Sequence, residues 1–472
     1  MLFLSLFVTL LPNEPNDESR KNLENIYDIV IVGGGIAGNA LACALANSKI
    51  TKSQRVALIE FSDVSYLKEW KPSPNEFSNR VSALTPQSIE FFKDIGVWEN
   101  FVLERVKPFN DIQVWDGITD ARINFNCKDN NTFRTNLENI GWIVENHNIQ
   151  QAILTRLLKY KDFNFHFFEN TKVEGIFLDD SSTPNVPNVN GQFDLSGWPN
   201  IKLSDGNFLK TRLLVGADGF NSIVRSFINI ESIGWDYDAH AVVATLLVDH
   251  PVENGTAWQR FLPTGPIAML PMPDGFASMV WSTTPTLASK IRTLPKNNFI
   301  NLVNAAFRLR VADLEYFFSH LEDDNFDIGV EFDWRNNIEA KKTKFSLPPL
   351  VLNVQEKSRA GFPLRMRNAE THTIHPLAGQ GLNQGLADVK CLAKVIEYGV
   401  TTGQDLGNLQ LLKNYSSERY LSNILMLGAV DKLHKLFGTK ITPLVCIRSL
   451  GLEMINRFGP LKSEIMKYAM GI

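Results

Sequence analysis

Residues 27–38 read YDIVIVGGGIAG. The run Ile29-Val30-Ile31-Val32 is apolar, β-branched and too short for a helix. It predicts a buried parallel strand. Gly33, Gly35 and Gly38 follow at GxGxxG spacing, and the Ala- and Leu-rich stretch from Ile36 to Asn47 predicts a helix. Strand, glycine turn and helix are the setting in which this spacing has a mechanism. The first glycine makes the tight turn, the second lets backbone approach a pyrophosphate, and the third lets helix pack on strand. The helix N-terminus then offers N–H groups and a positive dipole end to phosphates.

A second predicted strand, Val56 to Ile59, ends at Glu60. An acid about 20 residues past the glycines accepts hydrogen bonds from a ribose hydroxyl. A carboxylate here, rather than a basic residue, argues against a 2′-phosphate. FAD or NAD is expected rather than NADP.

The chain has 472 residues, 44% of them apolar and 21% charged, with net charge −4. That is room for two domains and a large core, and it carries no electrostatic footprint for nucleic acid. Cys43, Cys127, Cys391 and Cys446 are far apart with no CxxC. They suggest neither a disulfide framework nor a zinc site, and fit a reducing compartment. Met1 to Leu11 is apolar but too short to span a bilayer. It lacks a basic start and an Arg-rich amphipathic pattern. A degenerate targeting segment, a membrane-surface anchor and a misassigned start codon remain open. Asn13 to Asn25 reads as a polar linker.

Residues 62–79 read as a loop, and Arg80 follows. From position alone the plainer reading of Arg80 is a surface charge. Ile89, Phe92 and Phe101 suggest a helix capped by Thr85-Pro86. Alternation predicts strands at Ile112–Trp115 and Arg122–Phe125, then a helix from Asn148 to Lys159 and a strand from Phe163 to Glu169. Asp179 to Asn200 reads as an exposed insertion. In LLVGADGFNSIVR, residues 213–225, an apolar strand ends ahead of Asp218. An acid at the carboxyl end of such a strand sits where ligands bind; the alternative is a helix cap, and ligand contact is preferred.

Short strands at Ala241–Val248, Ala257–Phe261, Pro266–Pro271 and Ala277–Ser282 predict an inserted antiparallel sheet. Its apolar residues suit an apolar substrate as well as a core. Leu287 to Tyr316 reads as mainly helical. HPLAGQGLNQGLAD, residues 375–388, predicts a backbone-exposing turn ahead of a helix from Gly385 to Tyr398. Tyr415–Leu436, Leu444–Phe458 and Pro460–Met470 read as amphipathic helices.

The GGGIAG turn, the Arg80 segment, GADGFNSIVR and HPLAGQGLNQGLAD occur in this order in aromatic-ring flavoprotein monooxygenases. The fourth segment resembles the signature of the ubiquinone-biosynthesis hydroxylases, bacterial and mitochondrial. AWQRFLPTGPIAMLPMPDG and GLEMINRFGPLKSEIMKYAMG are similar to the mitochondrial members. The resemblance implies an α/β Rossmann-like FAD-binding domain with an inserted β-sheet substrate domain and C-terminal helices. The boundaries expected are an extension at 1–25, a discontinuous FAD domain at 26–105, 143–235 and 355–405, a substrate domain at 106–142 and 236–354, and a helical region at 406–472.

It further implies that Gly33, Gly35 and Gly38 take the FAD pyrophosphate and Glu60 the ribose. Arg80 lies near the flavin, against its plainer reading. Asp218, Gly379, Gly381, Leu382 and Asn383 line the cofactor. His375 and Pro376 are candidates at the ring, although a turn histidine with a structural role fits His375 equally. The chemistry belongs to the flavin, through a C4a-hydroperoxide, so no obligatory acid–base pair is expected. The implied substrate is a polyprenylated hydroxybenzoate. Electrons arrive through ferredoxin reductase and ferredoxin. The implied location is peripheral on the matrix side of the mitochondrial inner membrane, beside other ubiquinone-biosynthesis proteins. Two alternatives stay open: an NAD(P)H-dependent hydroxylase of a soluble aromatic, and a non-catalytic subunit of the biosynthetic complex.

The sequence departs from the family at one place. Members carry a strand ending in Gly-Asp just before HPLAGQG, and that aspartate contacts the flavin's ribityl chain. Here Phe362-Pro363 runs into LRMRNAETHTI and His375, with no Gly-Asp. About a dozen residues of strand and turn are missing. Residues 364–374 are too polar for a central parallel strand. The expectation is broken sheet pairing and one lost cofactor contact. Either the chain is a spliced or imperfectly joined version of a working hydroxylase, which the intact remainder favours, or it holds FAD poorly.

Overall fold

The computed structural model describes residues 25–127, 138–178, 195, 197–219, 221–229, 232–249, 255–323, 325–342, 345–369, 372–374 and 381–471. The N-terminal extension, most of the Asp179–Asn200 insertion, and His375, Pro376 and Gly379 lie outside these residues.

The order begins β1 (Ile26–Val32), α1 (Ile36–Asn47), β2 (Val56–Ile59), α2 (Ser65–Lys68), β3 (Val81–Leu84) and α3 (Pro86–Asp94). Next come β4 (Val106–Phe109), β5 (Asp111–Asp116), β6 (Arg122–Asn126), β7 (Gly141–Glu145) and α4 (Asn146–Leu158). Then follow β8 (Phe165–Phe168), β9 (Val173–Phe177), β10 (Asn200–Leu203), β11 (Phe208–Gly216) and α5 (Ile223–Phe227). The next stretch holds β12 (Ser232–Val248), β13 (Thr256–Leu262), β14 (Gly265–Pro271), β15 (Phe276–Thr283), α6 (Pro285–Thr293), α7 (Lys296–Arg308), α8 (Val311–Ser319) and α9 (Ile328–Lys342). The last elements are β16 (Val351–Val354), β17 (Ala360–Ala369), β18 (His372–Ile374), α10 (Gly381–Thr401), α11 (Leu409–Gly438), α12 (Thr442–Arg457) and α13 (Gly459–Met470).

One sheet has the order β8-β2-β1-β11-β10-β9, with its first four strands parallel. Ile29 and Ile31 point into a core shared with α1, α4 and α10. Val30 and Val32 point into a second core with Ala57, Ile59 and Leu214. Burial on both faces is why β1 reads as an unbroken apolar run. Along β11, β10 covers only Phe208–Lys210. From Arg212 to Gly216 no strand covers that outer edge among the described residues.

The larger sheet runs β18-β17-β12-β15-β14-β13-β5-β6, with β16 also on β12. The expectation of an antiparallel sheet holds except at one pair: β13 lies parallel to β5. One face packs on α6–α9 through Val242, Met279, Trp281 and Phe299. The other gathers Ala257, Met272, Phe77 and two tail methionines, Met466 and Met470. A small third sheet, β3-β7-β4, joins the two regions.

Several expectations are corrected. The helix at Thr85–Phe101 ends at Asp94, and Phe101 packs beyond it. The helix expected from Gly385 starts at Gly381. The loop at 62–79 contains α2, and α9 was not foreseen. Of residues 364–374, those described, 364–369 and 372–374, stay out of the parallel sheet, yet they form strands. β17 extends β12's long antiparallel ladder, and β18 folds back on β17. Edge and antiparallel positions tolerate the polar side chains that a central parallel strand does not.

The tail is fastened to α10 and to the larger sheet. Arg419 of α11 donates Nε–H to Asp388 of α10 at 2.6 Å. Phe437 stacks on Phe261 of β13 with ring centroids 4.0 Å apart. A buried ion pair ties α12 to β5.

Candidate functional site: a glycine cradle at the strand ends

Three parallel strands end together. The Gly33 N–H donates to the Ile59 carbonyl at 2.8 Å, and the Ala217 N–H to the Val32 carbonyl at 2.7 Å. The turn after β1 is therefore clasped by the ends of β2 and β11. Gly33 has φ +106°, and a Cβ there would meet the Ala217 carbonyl oxygen at 2.4 Å. At Gly38 a Cβ would lie 1.9 Å from the Gly33 oxygen, so α1 packs directly on the turn.

Gly35 differs: a Cβ there would meet nothing within 4 Å. It is the N-cap of α1 and no side chain caps the helix. The first N–H groups of a helix have no intrahelical acceptor. Here they face open space at the carboxyl ends of three strands, the arrangement that receives a pyrophosphate. The residues present thus fit a dinucleotide.

Glu60 stands beside this turn. Its Oε2 accepts the Gly34 N–H at 2.7 Å and its Oε1 the Ser62 N–H at 2.8 Å. Charge-assisted bonds of this kind fix the carboxylate, and each oxygen keeps a second lone pair for a ribose hydroxyl. Asn39, buried on α1, donates to the Gly34 carbonyl. Sequence reading missed it; the signal was an amide inside an Ala-rich helix.

Asp218 lies against the same turn, its backbone N 2.7 Å from where a Gly33 Cβ would sit. Its Oδ2 accepts from Ile223 N–H at 2.7 Å and Val224 N–H at 3.4 Å. The cap, placed second in the sequence reading, is what this side chain makes. A ligand contact would fall to Oδ1.

Gly381 opens α10, and Leu382 packs against the core shared with α1. Asn383 is buried. Its Oδ1 accepts the Thr85 N–H at 3.1 Å and the Ser88 hydroxyl at 2.8 Å, and its Nδ2 donates to the Ala83 carbonyl at 2.8 Å. Its amide therefore fixes the start of α10 on the β3–α3 junction.

Arg80 is exposed and directly precedes β3. The loop before it is rigidly held by residues that sequence reading did not single out. Arg105 pairs with Glu145 at 2.7 Å, both buried, and donates to the carbonyls of Ser73 and Glu76. Gln355 brackets Phe77, accepting its N–H at 2.8 Å and donating to its carbonyl at 3.0 Å. No motif marks these partners, because each pair is far apart in sequence. Among the described residues no group of His, Cys, Asp and Glu could hold a metal ion.

Residues 26–313 match the FAD binding domain family. The chain is 37% identical over 457 residues to "Ubiquinone biosynthesis monooxygenase COQ6, mitochondrial" of Xenopus tropicalis, covering 94% of this chain and 93% of that protein. It is 36% identical over 474 residues to the protein of that name from Saccharomyces cerevisiae, covering 95% and 94%. Among solved structures, pqsL of Pseudomonas aeruginosa, a probable FAD-dependent monooxygenase, aligns with TM-score 0.61 at 17% identity, covering 91% of this chain and 99% of that one. The p-nitrophenol 4-monooxygenase PnpA of Pseudomonas putida DLL-E4 aligns with TM-score 0.62 at 14% identity, covering 94% and 98%. At such identities the structures speak for the fold alone.

Proposed function

The chain belongs to the FAD-dependent ubiquinone-biosynthesis monooxygenases, and from that membership we propose that it hydroxylates the aromatic ring of a polyprenylated hydroxybenzoate. The observation that carries this is the open Gly35 backbone at the head of α1, between three strand ends. When bound, FAD supplies the redox chemistry: it takes up electrons, activates O2, and gives one oxygen to the ring and one to water.

The protein's part is to bind, orient and exclude water. The α1 N-terminus and the Gly33–Gly38 backbone hold the pyrophosphate. Glu60 accepts from the ribose. Asp218 and the backbone at Gly381–Asn383 line the flavin, and the α10 N-terminus favours negative charge there by about 0.3–1 kcal/mol. Arg80, on its braced loop, reaches the flavin. The sheet face bearing Ala257, Leu270, Met272 and Phe276 offers an apolar wall that keeps water from the reacting ring.

Electrons come from NADPH through ferredoxin reductase and ferredoxin. The protein works on the matrix side of the mitochondrial inner membrane, in contact with other enzymes of the pathway. Leu444, Ile447, Leu450 and Met454 of α12 and Phe458 at its end are exposed, a stripe suited to the membrane that holds a prenylated substrate. No helix among the described residues is long and apolar enough to cross a membrane.

The test is the visible spectrum of the purified chain with added FAD, followed by a hydroxylation assay with ferredoxin, its reductase and NADPH. Bound flavin and a hydroxylated prenyl-hydroxybenzoate are expected. A flavin-loaded protein that leaves this substrate untouched, but is rapidly reduced by NADPH with a small phenol, refutes the reading.

A further inference from the structure

A cavity of about 830 Å³ lies on the helix-covered side of the larger sheet, among the β5–β6 turn, the end of β13 and helices α7 to α9. None of its lining residues belongs to the glycine cradle. Five cationic side chains face three carboxylates in its wall. Each carboxylate is matched: Asp120 with Arg122 at 3.0 Å, Glu339 with Arg310 at 3.1 Å, and Glu315 with Lys440 at 2.6 Å. Arg260 and Arg308 are left with backbone carbonyls. Arg260 donates to Ala306 at 2.8 Å and Gly117 at 3.3 Å, and Arg308 donates to Pro348.

Arg260 is only 5% exposed. Burial lowers its pKa to about 10, against the pull of Asp120 and Asp116. Both acids are already engaged, by Arg122 and Arg448. Burial also lowers the pKa of Arg308, with Asp249 opposing.

The Nε–H groups of Arg122, Arg260 and Arg308 have no acceptor, and Asn336 Oδ1 has no donor. All four residues line this cavity. The wall holds more cations than carboxylates around one space, and a buried guanidinium charge without a carboxylate partner favours an occupant that pairs with it. The excess charge makes that occupant an anion, and the planar guanidinium fork matches a carboxylate. The rest of the wall is aromatic and apolar: Trp115 and Phe307 are buried, and the Arg122 guanidinium lies 5.1 Å from the Trp115 ring and 4.5 Å from the Phe345 ring.

We propose that this cavity is a second binding site, for an aromatic carboxylate whose charged head is held by Arg260 and Arg308 and whose ring lies against Trp115 and Phe307. The volume is within the range of small-molecule sites, roughly 300–1,000 Å³. The site lies across the sheet from the Met272 face, so its occupant would sense substrate or product without entering the flavin pocket.

The test is calorimetric titration of the FAD-loaded full-length protein with benzoate, and separately with inorganic phosphate, at constant ionic strength. One saturable benzoate site is expected, with no change in the flavin spectrum and weaker phosphate binding. Arg260→Met should weaken benzoate at least about tenfold with flavin content unchanged. Arg308→Gln, at a less enclosed position, should weaken it similarly and serves if Arg260→Met fails to fold. No saturable benzoate binding, phosphate tighter than benzoate, or parental benzoate affinity in the folded variants overturns the proposal.

Discussion

Arg448 and Asp116 form a two-pronged pair closed to solvent, Nε to Oδ2 at 3.1 Å and Nη2 to Oδ1 at 2.8 Å, with side-chain exposures of 1% and 0%. The third arm of the guanidinium, Nη1, donates to the carbonyls of Leu436, Phe437 and Thr439. One arginine thus seals the α11–α12 turn onto β5. Arg448→Met should cost about 3–5 kcal/mol, because it leaves a buried carboxylate unpaired. Chemical denaturation reads this out, and a loss below about 1 kcal/mol, the scale of a surface pair, would show that the pair is not sealed.

Gly35 and Gly38 should respond differently to the same substitution. Gly35 has φ −69° and open space around it, so Gly35→Ala should keep its thermal midpoint and lose FAD, the methyl standing where the pyrophosphate lies. Gly38→Ala drives a methyl into the Gly33 carbonyl and should destabilise the fold itself. Thermal melts beside flavin absorbance separate the two. Undiminished FAD in folded Gly35→Ala would remove the cradle from the cofactor site.

Asp218→Ala should cost up to about 1 kcal/mol through the lost bonds to the Ile223 and Val224 N–H groups, with Ser222 still the N-cap, and should also weaken flavin retention. Asp218→Asn keeps an acceptor for the Ile223 N–H and should restore stability. Equal FAD retention in parent and alanine variant, measured by dialysis, would leave Asp218 with its cap alone.

His166 introduces a pH dependence. Its Nδ1 lies 2.6 Å from the Tyr27 hydroxyl. Although the ring is surface-exposed, partial desolvation, then the nearby Arg55, holds its pKa below the usual value. The unfolded chain therefore takes up a proton near pH 6.5, while the folded chain resists it to lower pH. The contribution is complete above the unfolded pKa and is lost as pH falls through the folded one. Denaturation midpoints against pH should show a shallower acid limb in His166→Phe, and superimposable limbs would refute this.

Inserting a strand and Gly-Asp turn of about a dozen residues ahead of His375 should raise the bound FAD per chain. Flavin content of the extended protein checks it, and no gain would mean that the chain as it stands already holds its cofactor as well as it can.

What could be read in the sequence was what is local. The strand, turn and helix from Tyr27 to Asn47 announce themselves through short-range steric rules, as does the Thr85-Pro86 cap, whose hydroxyl accepts the Ser88 N–H at 3.3 Å. What could not be read was pairing at a distance. The parallel contact of β13 with β5 and the Arg105–Glu145 brace depend on chain crossings that leave no periodic trace. α9 escaped because its apolar residues form only a weak stripe. Asn383 was legible as a special residue but not as a clamp, since its three partners lie about 300 residues upstream.

The bare outer edge of β11 from Arg212 to Gly216 bears on how this protein behaves in bulk. Among the described residues β1 pairs with one side of this stretch and no strand lies on the other, where Leu213 and Leu214 are closed to solvent in the single chain. An open edge of apolar sequence is a template for another strand. Two copies meeting there would pair by ladder bonds, each covering the other's edge. Soluble yield is therefore set by concentration as much as by folding free energy. Dilute expression with chaperone supply, rather than a stabilising point mutation, is the condition under which this chain should be recovered as a monomer.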